Sequence, residues 1–203
     1  MFTSAPRWTS TYAETQGENV DNHTETPRDL YAPAWVSADQ EPDDLFSQIV
    51  PGLFQGGTPL EHWSSHGISF DHHEPDPIEG HFDAVVSLFA WSRPCDWGVE
   101  ELRYGFPDAH PQHADMSRVV RAARWAYDRW TAGDRVLIRC QAGLNRSGLV
   151  TAMVLMLDGW SAEDAIRQIR RQRAEVALVN DDFVDWLVHH APTALGETTP
   201  SAA

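Results

Sequence analysis

Residues 136–148 read Val-Leu-Ile-Arg-Cys-Gln-Ala-Gly-Leu-Asn-Arg-Ser-Gly, and this stretch restricts the fold more than any other. Val136 to Ile138 are β-formers in a short apolar run, the pattern of a buried strand. Small and polar positions follow, with Gly143 among them, and then the apolar segment Leu149 to Leu157, which reads as a central helix. A strand that enters a tight loop and opens a helix directs backbone N–H groups and the positive end of the helix dipole to one point. An anion, above all a phosphate, suits that point.

Cys140 enters the loop and Arg146 closes it. A thiol with the ordinary pKa of about 8.5 is only a few per cent ionised at neutral pH, and nucleophilic chemistry needs the thiolate. A helix N-terminus alone supplies roughly 0.3–2 kcal/mol towards that ionisation, so converging amides and a cation must add the rest. Arg146 is such a cation, and its planar fork can also grip two phosphate oxygens. Ser147 sits at the mouth of the helix, where its hydroxyl can donate to the sulfur and make it a better leaving group.

This pattern resembles the Cys-x5-Arg-Ser/Thr motif of the cysteine-dependent protein-tyrosine phosphatase superfamily. The filling Gln141, Ala142, Gly143, Leu144 and Asn145 is most similar to the dual-specificity branch. The resemblance implies attack by Cys140 on a phosphate monoester, a phosphocysteine intermediate and hydrolysis by water. It implies that residues 141–146 cradle the phosphate and that neither a cofactor nor a metal takes part. Most members have His before the Cys; here the residue is Arg139. Its fixed charge either favours the thiolate or points away to an ion pair elsewhere.

The family carries its general acid on a loop some thirty residues before the nucleophile, often after Pro. Pro107-Asp108 matches that context, with Asp108 thirty-two positions before Cys140. The leaving oxygen must be protonated as its bond to phosphorus breaks, which is the work of a positioned carboxylic acid. Asp115 competes, but it precedes the periodic run Met116, Val119, Val120, Ala123, Tyr127, Trp130, so capping that helix accounts for it. Ile49 to Gly57, with a Pro51-Gly52 turn between two apolar pairs, is similar to the family's first strands. Phe82–Phe89 and Glu101–Tyr104 read as two further strands, and helices are expected over 116–131, from Ser161 to about Arg173, and after Asn180-Asp181-Asp182. The expected architecture is α/β: a central, mostly parallel twisted sheet of four to five strands flanked by helices. Its Cys-x5-Arg loop lies between a strand and a helix.

Composition bounds the partners. The 203 residues carry a net charge of −15, and all fifteen basic residues are Arg. Affinity for nucleic acid or an anionic membrane rests on many cation–phosphate contacts, so neither is the expected partner. A phosphorylated protein or peptide is. An RNA 5′-phosphatase of the same superfamily, which also favours Gly-x-Asn-Arg, is the alternative, as is a catalytically weak phosphate-binding pseudophosphatase. The first twenty residues lack a signal-peptide pattern and no apolar run reaches eighteen residues, so a cytoplasmic location is expected. Residues 1–31, rich in Thr, Ser, Glu and Asn, read as a disordered tail, 32–191 as the catalytic domain and 192–203 as a second tail. His66, Asp71, His72, His73, Asp76 and His81 cluster in a stretch that matches no metal-ligand spacing and reads as a solvated loop. Trp91, Arg93 and Trp97 follow a strand at the end where α/β sheets bind ligands, as site-lining or as anchoring residues alike. Cys95 is a candidate for a protective disulfide with Cys140, as some relatives form. Arg167, Arg170, Arg171 and Arg173 are the one basic cluster, either an attractor of acidic substrate or a balance for nearby carboxylates.

Overall fold

The computed structural model describes residues 26–31, 44–58, 78, 80–96 and 98–196. Most of the His/Asp-rich stretch and Trp97 lie outside them. The first paired strands are β1 (Phe46–Val50) and β2 (Leu53–Gly56), antiparallel across the Pro51-Gly52 turn, with Gly52 at φ +82° supplying the left-handed conformation. Strands β3 (Ala84–Ser87), β4 (Glu100–Arg103) and β5 (Val136–Arg139) complete a five-stranded sheet in the order β1-β2-β5-β3-β4. All pairings except β1–β2 are parallel, and β5 lies between β2 and β3.

A strand flanked on both edges and covered on both faces is apolar throughout, and Val136, Leu137 and Ile138 are completely buried. Strand alternation divides them. Val136 and Ile138 join the main core with Leu53, Ala84 and Val86, whereas Leu137 joins Phe54, Phe82, Val85 and Ile78 on the opposite face. The next two residues inherit that alternation, which sends Arg139 and Cys140 to opposite sides of the sheet.

Helix α1 (Met116–Thr131) is capped by Asp115, whose carboxylate accepts from the N–H groups of Ser117 and Arg118. Helix α2 (Asn145–Leu157) is buried almost all round, in contact with α1, with α3 (Ala162–Gln172), with α4 (Asp181–His189) and with β5. Ser161 caps α3 through Asp164 N. A last turn, α5 (Ala191–Ala194), follows α4.

Both expected tail boundaries run through packed chain. Leu30 is completely buried in the main core, and Thr26 Oγ1 and Tyr31 OH both donate to Asp185 Oδ1 of α4, at 2.8 and 2.7 Å. At the other end Ala191 and Leu195 are buried. Among the described residues no helix is long and apolar enough to cross a membrane.

Candidate active site

The loop after β5 is held in shape from below. Cys140 N donates to Gly56 O, and Thr58 Oγ1 donates to Cys140 O at 2.9 Å. Thr58 N donates to Gln141 O at 2.9 Å. Gly143 has φ +77°, and a Cβ there would stand 2.5 Å from Gly57 N and 2.7 Å from Gly56 O, so only glycine fits. The Gly143 carbonyl is drawn outward by two buried donors, Gln55 Nε2 at 3.0 Å and Arg173 Nε at 3.2 Å. Its N–H, which belongs to the preceding peptide group, donates to Cys140 Sγ at 3.3 Å.

Ser147 Oγ lies 3.4 Å from the same sulfur. Cys140 and Ser147 are both buried. Helix α2 starts at Asn145, four residues before the apolar segment, so Arg146 and Ser147 occupy its first turn. Its N-cap residue Leu144 makes no side-chain cap, leaving first-turn N–H groups without an intrahelical acceptor. Negative charge at the sulfur or on a bound anion is favoured there.

Arg146 is 7% exposed and is fixed by protein oxygens. Its Nη1 donates to Leu88 O and Phe106 O at 3.4 and 3.2 Å, its Nη2 donates to Gln141 Oε1 at 3.3 Å, and its guanidinium carbon sits 5.6 Å from the Phe89 ring centroid. Its Nε is buried with no hydrogen-bond partner among the described residues. An orphaned charged donor costs upwards of about 1–3 kcal/mol, which an anion accepting from that edge would offset.

Asp108 is exposed and lies beside the loop: its Oδ2 accepts from Asn145 Nδ2 at 3.2 Å. Asp115, the competing carboxylate, is committed to the α1 cap, and its bonds to Ser117 and Arg118 hold it below its ordinary pKa. Asn145 directs its side chain to Asp108 and to Asn180 N, so only its backbone is left to face a phosphate.

Arg139 turns away. It is completely buried on the far face, where Nε donates to Ser87 Oγ at 2.9 Å and Nη2 donates to Arg93 O at 2.7 Å and contacts Glu101 Oε1 at 3.4 Å. Burial pushes the Glu101 carboxyl up, but bonds from Ser87 and the Cys95 N–H, with Arg103 and Arg139 nearby, bring it below its usual range. Cys95 Sγ lies 3.5 Å from Arg139 Nη2, so the sheet stands between it and Cys140, and neither cysteine is in a disulfide. Trp91 is 65% exposed, which leaves a platform role open and rules out a buried anchor. The α3 arginines serve structure: Arg170 donates to Ala177 O and Leu178 O, Arg167 pairs with Asp29, and Arg173 bonds Asp44 O and Leu45 O besides Gly143 O. Gln55, Arg173 and Asn180 escaped notice as site residues. A lone Gln in an apolar strand is the one signal the sequence carried for any of them.

The family model described as dual specificity phosphatase, catalytic domain, matches residues 110–192, a span that includes Cys140 and Arg146 and starts just past Asp108. Over that span the chain resembles the dual-specificity branch of the cysteine-dependent protein-tyrosine phosphatase superfamily. Similar solved structures include Tk-PTP in its active form, at 25% identity and a TM-score of 0.57 over 77% of this chain and 99% of that one. A mouse putative dual specificity phosphatase complexed with zinc tungstate matches at 22% identity and TM-score 0.55, over 75% and 87% of the two chains. PTPMT1 in complex with PI(5)P matches at 19% identity and TM-score 0.56, over 77% and 100%. No curated protein sequence matches significantly. Among the described residues no group of three or more His, Cys, Asp or Glu is arranged to hold a metal ion.

Proposed function

We propose that the chain hydrolyses phosphomonoesters of proteins, phosphotyrosine foremost and phosphoserine or phosphothreonine besides, through a phosphocysteine intermediate. The observation that carries this is the buried Cys140 sulfur ringed by Gly143 N–H and Ser147 Oγ, with the unpartnered Arg146 Nε at the same loop. The Cys140 thiolate attacks phosphorus, and the bond to the leaving oxygen breaks as Asp108 gives that oxygen a proton. Arg146 and the amides of residues 141–146 hold the three equatorial oxygens, where charge concentrates in the transition state. Asp108, now a carboxylate, takes a proton from water as the water's oxygen attacks phosphorus. The thiolate departs, with the Ser147 hydroxyl donating to it.

A protein substrate is favoured over a polyphosphorylated headgroup because the loop interior, Gln141 to Asn145, carries no cation beyond Arg146. The acidic, lysine-free composition likewise weighs against RNA. Hydrolysis of a small aryl phosphate by the wild type, Cys140→Ser and Asp108→Asn tests the mechanism. Loss of more than 99% of turnover is expected for Cys140→Ser. Undiminished activity in that variant refutes the thiol mechanism. Ranking phosphotyrosine and phosphoserine peptides against 5′-triphosphate RNA and a phosphoinositide tests the substrate, and a preference for either of the last two overturns it.

A further inference from the structure

Asn180 stands at the N-cap of α4, a place where Asn ordinarily bonds the first-turn N–H groups of its own helix. It makes no such bond. Its Nδ2 instead donates to Asp108 Oδ1 at 3.0 Å, while its backbone N–H donates to Asn145 Oδ1 at 3.2 Å. Asn145 Nδ2 donates to Asp108 Oδ2 at 3.2 Å. Three side chains from the acid loop, the phosphate loop and α4 thus close a ring, and each Asp108 oxygen receives one amide.

The chain that brings Asn180 to this place is tightly fixed. Leu178 is completely buried at φ +56°, an unfavourable conformation for a leucine, and packs where a Cβ on Gly148 of α2 would meet it at 2.8 Å. Arg170 holds it there through the carbonyls of Ala177 and Leu178. Such strain persists only where neighbouring structure over-determines it, and it concentrates at functional sites. The Asp108 side chain, by contrast, is exposed.

We infer that Asn145 and Asn180 are positioning residues that brace Asp108 towards the leaving-group oxygen, an inference that rests on Asp108 being the general acid. A carboxyl group offers about four lone-pair sites, so two amides leave room for the transferable proton. Asn145 neighbours Arg146, and the brace therefore ties the acid's location to that of the bound phosphoryl group. Acid catalysis contributes most when the leaving group is a poor one, so the brace matters for a phenol of tyrosine-like pKa and little for nitrophenol.

The experiment compares phenyl phosphate with para-nitrophenyl phosphate for the wild type, Asp108→Asn, Asn145→Ala, Asn180→Ala and Asn180→Asp. Asn180→Asp is the discriminating variant: Asp is a good N-cap and its charge suits the helix end, so folding is preserved while the amide donor is lost. The expected result is a kcat on phenyl phosphate down at least tenfold in each Asn variant. A small misplacement of a catalytic group costs up to ~100-fold, and in the two Asn180 variants KM stays within about twofold and para-nitrophenyl phosphate turnover within about threefold. Equal losses on both substrates, or no loss in Asn180→Asp while Asp108→Asn remains selectively impaired on phenyl phosphate, overturn the brace and leave the acid standing. If Asp108→Asn itself shows no leaving-group selectivity, the acid assignment fails and the brace with it.

Discussion

Replacing Arg173 by Met should slow the chemistry of a residue it never touches. Burial pushes the Arg173 guanidinium down to about 10, with the Cys140 sulfur and then Asp44 drawing it back up, so it stays charged at neutral pH. Its hydrogen bonds go only to uncharged oxygens: the carbonyls of Gly143, Asp44 and Leu45 and the Ser47 hydroxyl. Gly143 stands between it and the sulfur, with Arg173 on its carbonyl and Cys140 on the N–H of the preceding peptide group. That chain of contacts limits the charge-to-sulfur separation to about 10 Å, and at an effective dielectric of about 20 the attraction is roughly 1.7 kcal/mol. Removing that attraction for negative charge at the sulfur should lower the rate of iodoacetamide alkylation of Cys140 at pH 7 by about tenfold. Arg173→Lys, which keeps the charge, should stay within about threefold of wild type. Peptide mass spectrometry separates Cys140 from Cys95. Local unfolding would expose the thiol and speed its alkylation, so a fall in rate reports the charge. An unchanged rate in Arg173→Met refutes the electrostatic reasoning.

Gly143→Ala should abolish aryl phosphate hydrolysis and lower the unfolding midpoint, since the new methyl collides with the Gly56 and Gly57 backbone at a left-handed φ; a variant with wild-type kcat contradicts this. Glu101→Gln leaves the buried Arg139 without its counter-charge and should cost about 3 kcal/mol in urea unfolding at pH 7. Because the folded-state Glu101 titrates below its ordinary 4.5, its contribution is full above that pH and disappears as pH falls through the depressed value. The variant's stability should accordingly depend less on pH there than the wild type's. Leu30→Ala should cost about 2–3 kcal/mol by the same assay, as for other fully buried leucines, and a negligible change would return residues 26–31 to tail status.

Local signals revealed the strands and helices where periodicity and caps agreed. The α1 span, its Asp115 cap, the Pro51-Gly52 turn and the buried β5 run emerged as expected. Strands β3 and β4 came out within a few residues of the expected bounds, and α2 began earlier than its apolar stretch because polar first-turn residues face the loop. Cys140 and Arg146 were legible since their spacing is itself the geometry. The direction of Arg139 was not: it depends on which strand neighbours sit across the sheet, and the partners Ser87 and Glu101 come from β3 and β4. Asn180 stood out only as the start of the last helix, because propensity knows nothing of a carboxylate brought close by tertiary packing. Gln55 and Arg173 support the loop from distant segments, and long-range contacts of that kind leave no periodic trace.

The central place of β5 has a consequence for how the molecule comes apart. Neighbours hold it along both edges, and helices or apolar side chains cover both faces, so no partial opening frees it. Its amide hydrogens should exchange with solvent only when the whole domain unfolds, later than those of the outer strands β1 and β4. The proposed nucleophile is thereby mounted on the last part of the architecture to melt, and denaturant should extinguish turnover and the sheet's circular dichroism at one midpoint.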